Sequence, residues 1–471
     1  MLRLIEALRV IQPTSIAFVG AGGKTTALFL AAKNLLNSTA GQMVTSTVLV
    51  TTSTHLGAWQ AEQADHFFSA TTIEDIDRIK KDLPGGVILI TGEKEDELLQ
   101  GLSPKLLDQV QRLADERNLP LLMEADGAHG CPLKAPAEHE PAIPEFSQHV
   151  VVVAGLLGLG KPLTKEWVHR PEHFAELSGL RIGAEITWEA LAKVLMSVQG
   201  GLKNIPKAAR RSVLLNQADT PELQSQGKAI SDCIITSYDA SIIASLSIMD
   251  GEMIGAEGQK TYRQNEIHSV VESIGGVILA AGGSSRFGVP KQLLPWKGEP
   301  FIRHVALAAL RAGLDPVVVV VGSSAEEIQA AVNDLSVRIV DNTEWKNGLS
   351  SSIKAGIGSL PINIGGAIFL QGDQPQIPHT LIRTLVEAHQ SDLHSIIAPQ
   401  IDGQRGNPVL FDSRTFPDLL SLVGDVGGRV LFSNYSVQWI QWHDPNLLID
   451  IDTPEDYDKF LKIYSQEGVG S

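Results

Sequence analysis

The chain has 471 residues, 43% hydrophobic and 20% charged, which is the profile of a soluble globular protein long enough for two or three cores. Its 38 basic and 54 acidic residues leave a formal charge of −16. That balance disfavours a nucleic-acid partner but allows a small phosphorylated ligand held by a few local cations. Cys131 and Cys233 are its two cysteines, so a disulfide framework and a Cys-x-x-Cys metal spacing are both excluded.

The opening residues MLRLIEALRV read as the start of an amphipathic helix. No long apolar segment follows, as a signal peptide would require. No run reaches the length of a membrane span, so a cytoplasmic enzyme with no membrane partner is expected. In the first half SIAFVG (15–20), VLVTTS (48–53), GVILITG (86–92), LPLLMEADG (119–127), HVVVVAG (149–155) and SVLLNQAD (212–219) read as strands. Continuous apolar runs separated by helical stretches indicate a parallel sheet covered on both faces.

The first strand runs into GAGGKTT and then a helix. Gly22, Gly23, Lys24 and Thr25 match the GK[ST] end of a P-loop, whereas Phe18 stands where that motif has its first glycine. The expected mechanics are those of a phosphate cradle, with Lys24 on the phosphates and Thr25 on Mg²⁺. A plain glycine-rich turn is the alternative. Glu124 and Asp126 end a strand as a Walker B carboxylate does, and TTSTHL (51–56) offers hydroxyls and His55 in a switch-like loop. LLNQAD is similar to a guanine-reading NKxD motif, but Gln217 replaces the lysine, which leaves ATP or GTP open. His129, Cys131, His139, His169 and His173 fit no zinc spacing; the histidines read as surface or switch-loop residues and Cys131, next to Pro132, as a small buried residue. With PLKAPAEHEPAIP (132–144) and VHRPE (168–172), these motifs resemble the YqeC family over most of residues 10 to 250. The resemblance implies an accessory role for selenium-dependent molybdenum hydroxylases, with a client hydroxylase as partner.

The polar stretch EGQKTYRQNEIHSVVES (257–273) lacks an apolar run and is read as a linker between domains at 1–256 and 274–471. Beyond it GGVILAAGG, DPVVVVVG, VRIVDN, GGAIFLQGD and SIIAPQ repeat the strand pattern. The fold class is therefore α/β in both domains. The first of these strands runs into LAAGGSSRFGVPK, and ligands of open parallel sheets sit at strand carboxyl ends. Leu279, Ala280, Ala281, Gly282, Gly283 and Ser284 form the candidate nucleotide cradle, with Arg286 and Lys291 as cations for a triphosphate. An ordinary strand-to-helix turn is the alternative. The Ser-Ser-Arg and Pro-Lys offsets separate this loop from that and from GxGxxG and Walker A.

The loop, followed by NTEWKNGLSSSIKAGI (342–357), LQGDQP (370–375), GQRGNPVLF (403–411), GDVGGR (424–429) and DIDTPEDY (450–457), resembles the MobA-like nucleotidyltransferases. The match is closest to the MocA-type molybdenum cofactor cytidylyltransferases and covers essentially the whole second domain. Phe287 stands where the family often has Met. The resemblance implies a Rossmann-like, GT-A-like sheet, with CTP and molybdopterin as substrates. A terminal phosphate of the acceptor would attack the α-phosphorus of CTP and expel pyrophosphate. Ala281, in place of the glycine usual in the guanylyl branch, favours CTP over GTP.

Such chemistry calls for Mg²⁺. Asp373, at the end of a strand, is expected as the first metal ligand. Asp452 is the expected second, with Asp450 as the other choice, since alternation along NLLIDID puts them on one face. Capping of the following helix is the competing role, which Thr453 also suits. Asn342, Trp345, Gly348 and Ser350 to Ser352 line the active site in the family, or else form a capped loop before a helix. Arg405 and Asn407 are candidates for the acceptor's phosphate, or else part of a hairpin turn with Gly403 and Gly406. The whole chain then reads as a bifunctional cofactor-maturation enzyme. The alternatives are a cytidylyl- or uridylyltransferase acting on another phosphorylated acceptor, such as a sugar phosphate, or a nucleotide-switched chaperone for a client hydroxylase.

Overall fold

The computed structural model describes residues 2–37, 45–247, 252–254, 260–262, 265–283, 287 and 289–466. The chain divides into two compact α/β units, Met1–Val271 and Glu272–Ser471.

The first unit is built on strands β1 (Ser15–Gly20), β2 (Thr47–Thr52), β3 (His66–Ser69), β4 (Gly86–Thr91), β5 (Leu121–Glu124), β6 (His149–Gly155), β7 (Arg210–Asn216), β8 (Ala240–Ser245) and β9 (Glu266–Val271). Their order across the sheet is β9-β8-β7-β6-β1-β5-β2-β4-β3. All neighbours are parallel except β8 and β9. The central strands are buried along nearly their whole length, which is why their sequences are unbroken Val, Ile and Leu rather than alternating. Helix α1 (Lys24–Leu36) follows β1 and buries Ala27, Leu28, Ala31, Ala32 and Leu35, an i, i+4 stripe. Burying a leucine such as Leu28 is worth roughly 1.5–3 kcal/mol. The order reverses around β1, so the crevice at its carboxyl end is where this architecture places a ligand.

The second unit contains β10 (Ile274–Leu279), β11 (Val317–Val321), β12 (Arg338–Asp341), β13 (Gly366–Gln371), β14 (Ile396–Ile401), β15 (Gln404–Arg405), β16 (Val409–Asp412) and β17 (Val437–Gln441). The order is β12-β11-β10-β13-β16-β14-β15, with β17 also paired to β14. The first four strands are parallel, and β16 runs antiparallel to both β13 and β14. Helix α2 (Leu349–Gly358) covers one face through Ile353, Gly356 and Ile357. A Cβ at Gly356 would lie 2.4 Å from Val277, so glycine lets the helix meet the sheet.

Two expectations are corrected. The segment 257–273 is not simply a linker, because residues 266–271 pair with β8 as the edge strand β9. Ile267, Val270 and Val271 are buried there while Glu266 is exposed. NLLIDID is not a strand. Pro445–Leu448 form a 3-10 turn, and residues 449–452 run on without a ladder partner. Asp450 and Asp452 are nonetheless both exposed on either side of the buried Ile451.

Candidate functional site

In the second unit, β10 delivers its loop between two neighbouring strand ends. The Ala280 N–H donates to Val320 and the Gly372 N–H donates to the Leu279 carbonyl. The Ala281 carbonyl accepts from the Ser323 N–H, and the Ser323 hydroxyl donates to the Gly282 carbonyl. Gly322 is required here, since a Cβ would lie 2.7 Å from the Ala281 oxygen and 2.9 Å from its methyl. The Ala281 side chain is buried and lies against Gly322. Gly282 faces open space, and Gly283 faces the Trp345 ring. Ser284 and Arg286 lie outside the described residues.

The loop returns at Lys291, whose ammonium is 2.6 Å from the Asp452 carboxylate. Asp373 follows the end of β13. Burial pushes its carboxyl above the ordinary range; Lys291 opposes that rise, and Asp450 and Asp452 add to it. Lys291, Asp373, Asp450 and Asp452 thus share one electrostatic neighbourhood. Asn342 is buried and donates to the Ser351 and Ser352 hydroxyls, 2.8 and 3.0 Å away. It ties the loop to the first turn of α2. Among the described residues, no group of three or more His, Cys, Asp or Glu side chains is arranged to hold a metal ion.

In the first unit, Gly20, Gly22 and Gly23 all have positive φ, at 96°, 85° and 115°. A Cβ at Gly22 would lie 2.3 Å from the Gly155 nitrogen. Lys24 is 4% exposed, donates to the Gly20 carbonyl, and lies 3.2 Å from Asp126 and 3.6 Å from Glu124. Burial works against its charge, but the two carboxylates hold its pKa above the usual lysine value. Thr25 donates to Glu124 at 2.7 Å. Burial raises the Glu124 carboxyl despite these partners. Asp126 also accepts from the Gly20 N–H and pairs with Lys134, which pairs in turn with Glu140. Arg170 completes the chain on Glu140, which these cations hold down at about 2 in spite of burial. The Asn216 amide donates to the Gly22 carbonyl and its oxygen accepts from the Leu246 N–H. Backbone N–H groups at the carboxyl end of β1 and the start of α1 form the kind of place that takes a phosphate.

Residues 276–439 match the family described as MobA-like NTP transferase domain, and residues 16–172 match the YqeC protein family. The chain is 35% identical over 207 residues to the uncharacterized protein YqeC of Escherichia coli (strain K12), covering 44% of this chain and 77% of that protein. It is 32% identical over 196 residues to nicotine blue oxidoreductase of Paenarthrobacter nicotinovorans (40% and 95% covered). It is 29% identical over 201 residues to a probable molybdenum cofactor guanylyltransferase of Bacillus cereus (strain Q1) (41% and 98% covered). Among solved structures, Rv0371c of Mycobacterium tuberculosis H37Rv shares 27% identity, with a TM-score of 0.37 over 40% of this chain and 98% of that one. The chain belongs to the YqeC family through its first unit and to the MobA-like NTP transferases through its second. The second unit is thus a nucleotidyltransferase.

The MobA-like unit has a cleft of about 240 Å³ whose lining includes Leu279, Phe369, Phe411, Arg405, Asn407 and Arg429. Arg405 lies on β15, beyond the two-residue turn Asp402–Gly403, so the hairpin is real and aims the guanidinium. It stacks over Phe432 at 5.2 Å. Burial, then the nearby Arg429, lowers its pKa. Asn407 donates to Gln374, within the GDQP turn that carries Asp373. Arg429 was given no role from sequence, although GDVGGR was quoted as a motif.

In the YqeC unit, sequence gives Lys134, Glu140 and Arg170 no role of their own although they form one ion-pair chain, and Cys131 is only partly buried. His55, His129 and His169 do gather there, with ring centroids 6.4 and 4.7 Å apart. Burial, with Arg170 and Lys134, lowers His169 to about 4. Among the described residues no helix is long and apolar enough to cross a membrane.

Proposed function

We propose that the MobA-like unit transfers CMP from CTP to molybdopterin, giving the cytosine dinucleotide cofactor and pyrophosphate. The observation that carries this reading is the meeting of Lys291, Asp373 and Asp452 beside the glycine loop. Phosphoryl chemistry of this kind needs positioning and charge neutralisation more than covalent help. The loop amides around Gly282 and Gly283 cradle the triphosphate, with Ser284, Arg286 and Lys291 completing the cradle. Lys291 exchanges Asp452 for a phosphate oxygen. Arg405 and Asn407 hold the acceptor so that its terminal phosphate faces the α-phosphorus.

Magnesium suits the carboxylates present. It takes one or two of them and fills its shell with substrate phosphates and water, so no all-protein cage is needed. Asp373 and Asp452 would hold it, with Asp450 beside them, and a cation offsets the burial and repulsion that raise Asp373. Bound there, it supplies neutralisation of the charge on the reacting phosphates.

The YqeC unit, in this proposal, binds ATP or GTP at Gly22, Gly23, Lys24 and Thr25 and supports maturation of a client molybdenum hydroxylase. Ala281, where the guanylyl branch usually has glycine, favours CTP as the nucleotide donor. Purified protein supplied with molybdopterin and either CTP or GTP, with pyrophosphate release as the readout, tests the transferase. Turnover with CTP is expected. A clear GTP preference, or turnover only with a sugar phosphate, overturns it.

A further inference from the structure

The cleft of the MobA-like unit holds an electrostatic imbalance. Arg405 and Arg429 are close enough for one to depress the other's pKa, yet among the described residues neither has a carboxylate in ion-pair range. Arg405 is half-buried and Arg429 exposed, and both line the same cleft as like charges. A doubly charged anion between them removes that repulsion and meets two planar forks of donors. Beside them lie Phe369 and Phe411, an apolar floor suited to a flat ring attached to the anion.

Arg429 reaches the cleft through a latch. The Leu349 N–H, at the start of α2, donates to the Asp425 carboxylate at 3.2 Å. The Ser350 N–H and hydroxyl both donate to the Gly424 carbonyl, at 3.2 and 2.7 Å. Gly348 has φ +95°, and a Cβ there would lie 2.5 Å from the Asp425 nitrogen, so the segment is seated directly on the helix start. From that anchor Gly427 and Gly428 pass close against Leu349 and Phe411. The next residue is Arg429.

We propose that Arg429 binds the acceptor's phosphate together with Arg405, and that Asp425 is the positioning residue that delivers it. This rests on reading the cleft as the acceptor site. Asp425 is exposed and contributes little to the core, so its effect falls on the placement of Arg429.

The test uses the full chain and two readouts. In steady state, R429Q raises KM for molybdopterin about tenfold or more, the loss expected for a charge-assisted contact. KM for CTP stays within about twofold. D425A raises the acceptor KM in the same direction, and D425N restores it, because an amide oxygen still accepts the Leu349 N–H. The second readout is the ³¹P line of phenyl phosphate, a doubly charged aromatic phosphate: wild type shifts and broadens it, while R429Q and R405Q do not. Unchanged acceptor KM and unchanged phosphate binding in R429Q overturn the proposal. CTP and acceptor KM rising together in D425A, or no rescue by D425N, overturns the positioning role. If wild type does not turn over molybdopterin, the proposed reaction fails, and the ³¹P measurement still decides whether Arg429 and Arg405 hold an aromatic phosphate.

Discussion

Lys291 and Asp452 stand 161 residues apart in the chain, and their charged groups are 2.6 Å apart in space. Read separately, one was assigned to the triphosphate and the other to the metal. Their contact makes each the resting partner of the other until phosphate and cation arrive. The Asp452 side chain is 59% exposed, so the pair adds about 1 kcal/mol or less to stability. K291A is therefore expected to melt close to wild type while kcat/KM for CTP falls about 100-fold or more. Pyrophosphate release and a thermal melt on the same sample check this. A loss of stability matching the loss of activity would mark the pair as structural.

Asp373 is predicted to set the acid limb of the pH–rate profile. Its carboxyl is raised by burial and by Asp450 and Asp452, and transfer requires it ionised to hold a cation. Activity should thus rise with pH through a value above that of an ordinary aspartate. D373N is expected to lower kcat about 100-fold or more and to abolish that limb. Raising the magnesium concentration should move the limb to lower pH, since the cation favours the ionised form. A profile unaffected by magnesium would remove Asp373 from the metal site.

Much of this was legible from runs of one character. The central strands are buried on both faces, so SIAFVG, HVVVVAG and the five-valine strand β11 declare themselves. Edge strands are less visible: β3 reads HFFS with three exposed residues, and β9 opens on the exposed Glu266. Lys291, Asp373 and Asp452 stood in recognisable motifs, but their proximity is a product of the fold. The place of Arg429 beside Arg405 in one cleft is likewise a product of packing that the segment GDVGGR does not announce.

In the YqeC unit, Lys24 is predicted to matter as much for folding as for phosphate. It is 4% exposed and holds Glu124 and Asp126. K24M leaves two buried carboxylates short of a cation, a change that costs about 3–5 kcal/mol. Lys134 still pairs with Asp126, so Glu124, already raised by burial, is the group left exposed to the penalty. Protonating it relieves the cost, and the K24M deficit should shrink as pH falls from about 8 toward about 5. Urea unfolding of both proteins across that range measures this. A deficit that is small, or constant with pH, would mean that Glu124 does not carry the penalty.

His149 gives a pH dependence of the opposite origin. The ring is 4% exposed at the start of β6 and shares a 2.8 Å hydrogen bond with Ser212 on β7. Burial, with Arg210 nearby, lowers its pKa from 6.5 to about 3. The folded state therefore keeps the ring neutral where the unfolded chain takes up a proton. The contribution is fully present above pH 6.5 and is lost as pH falls toward about 3, because in that window the unfolded state binds more protons. Between about pH 7.5 and about pH 5 this amounts to about 2 kcal/mol. Gln at this position can still hydrogen-bond Ser212 but does not titrate. H149Q is thus expected to lose less stability than wild type over the same interval, with the difference between the two proteins isolating this one ring from every other titrating group. Equal losses in wild type and H149Q would show that the ring is protonated in the folded state as readily as in the unfolded one.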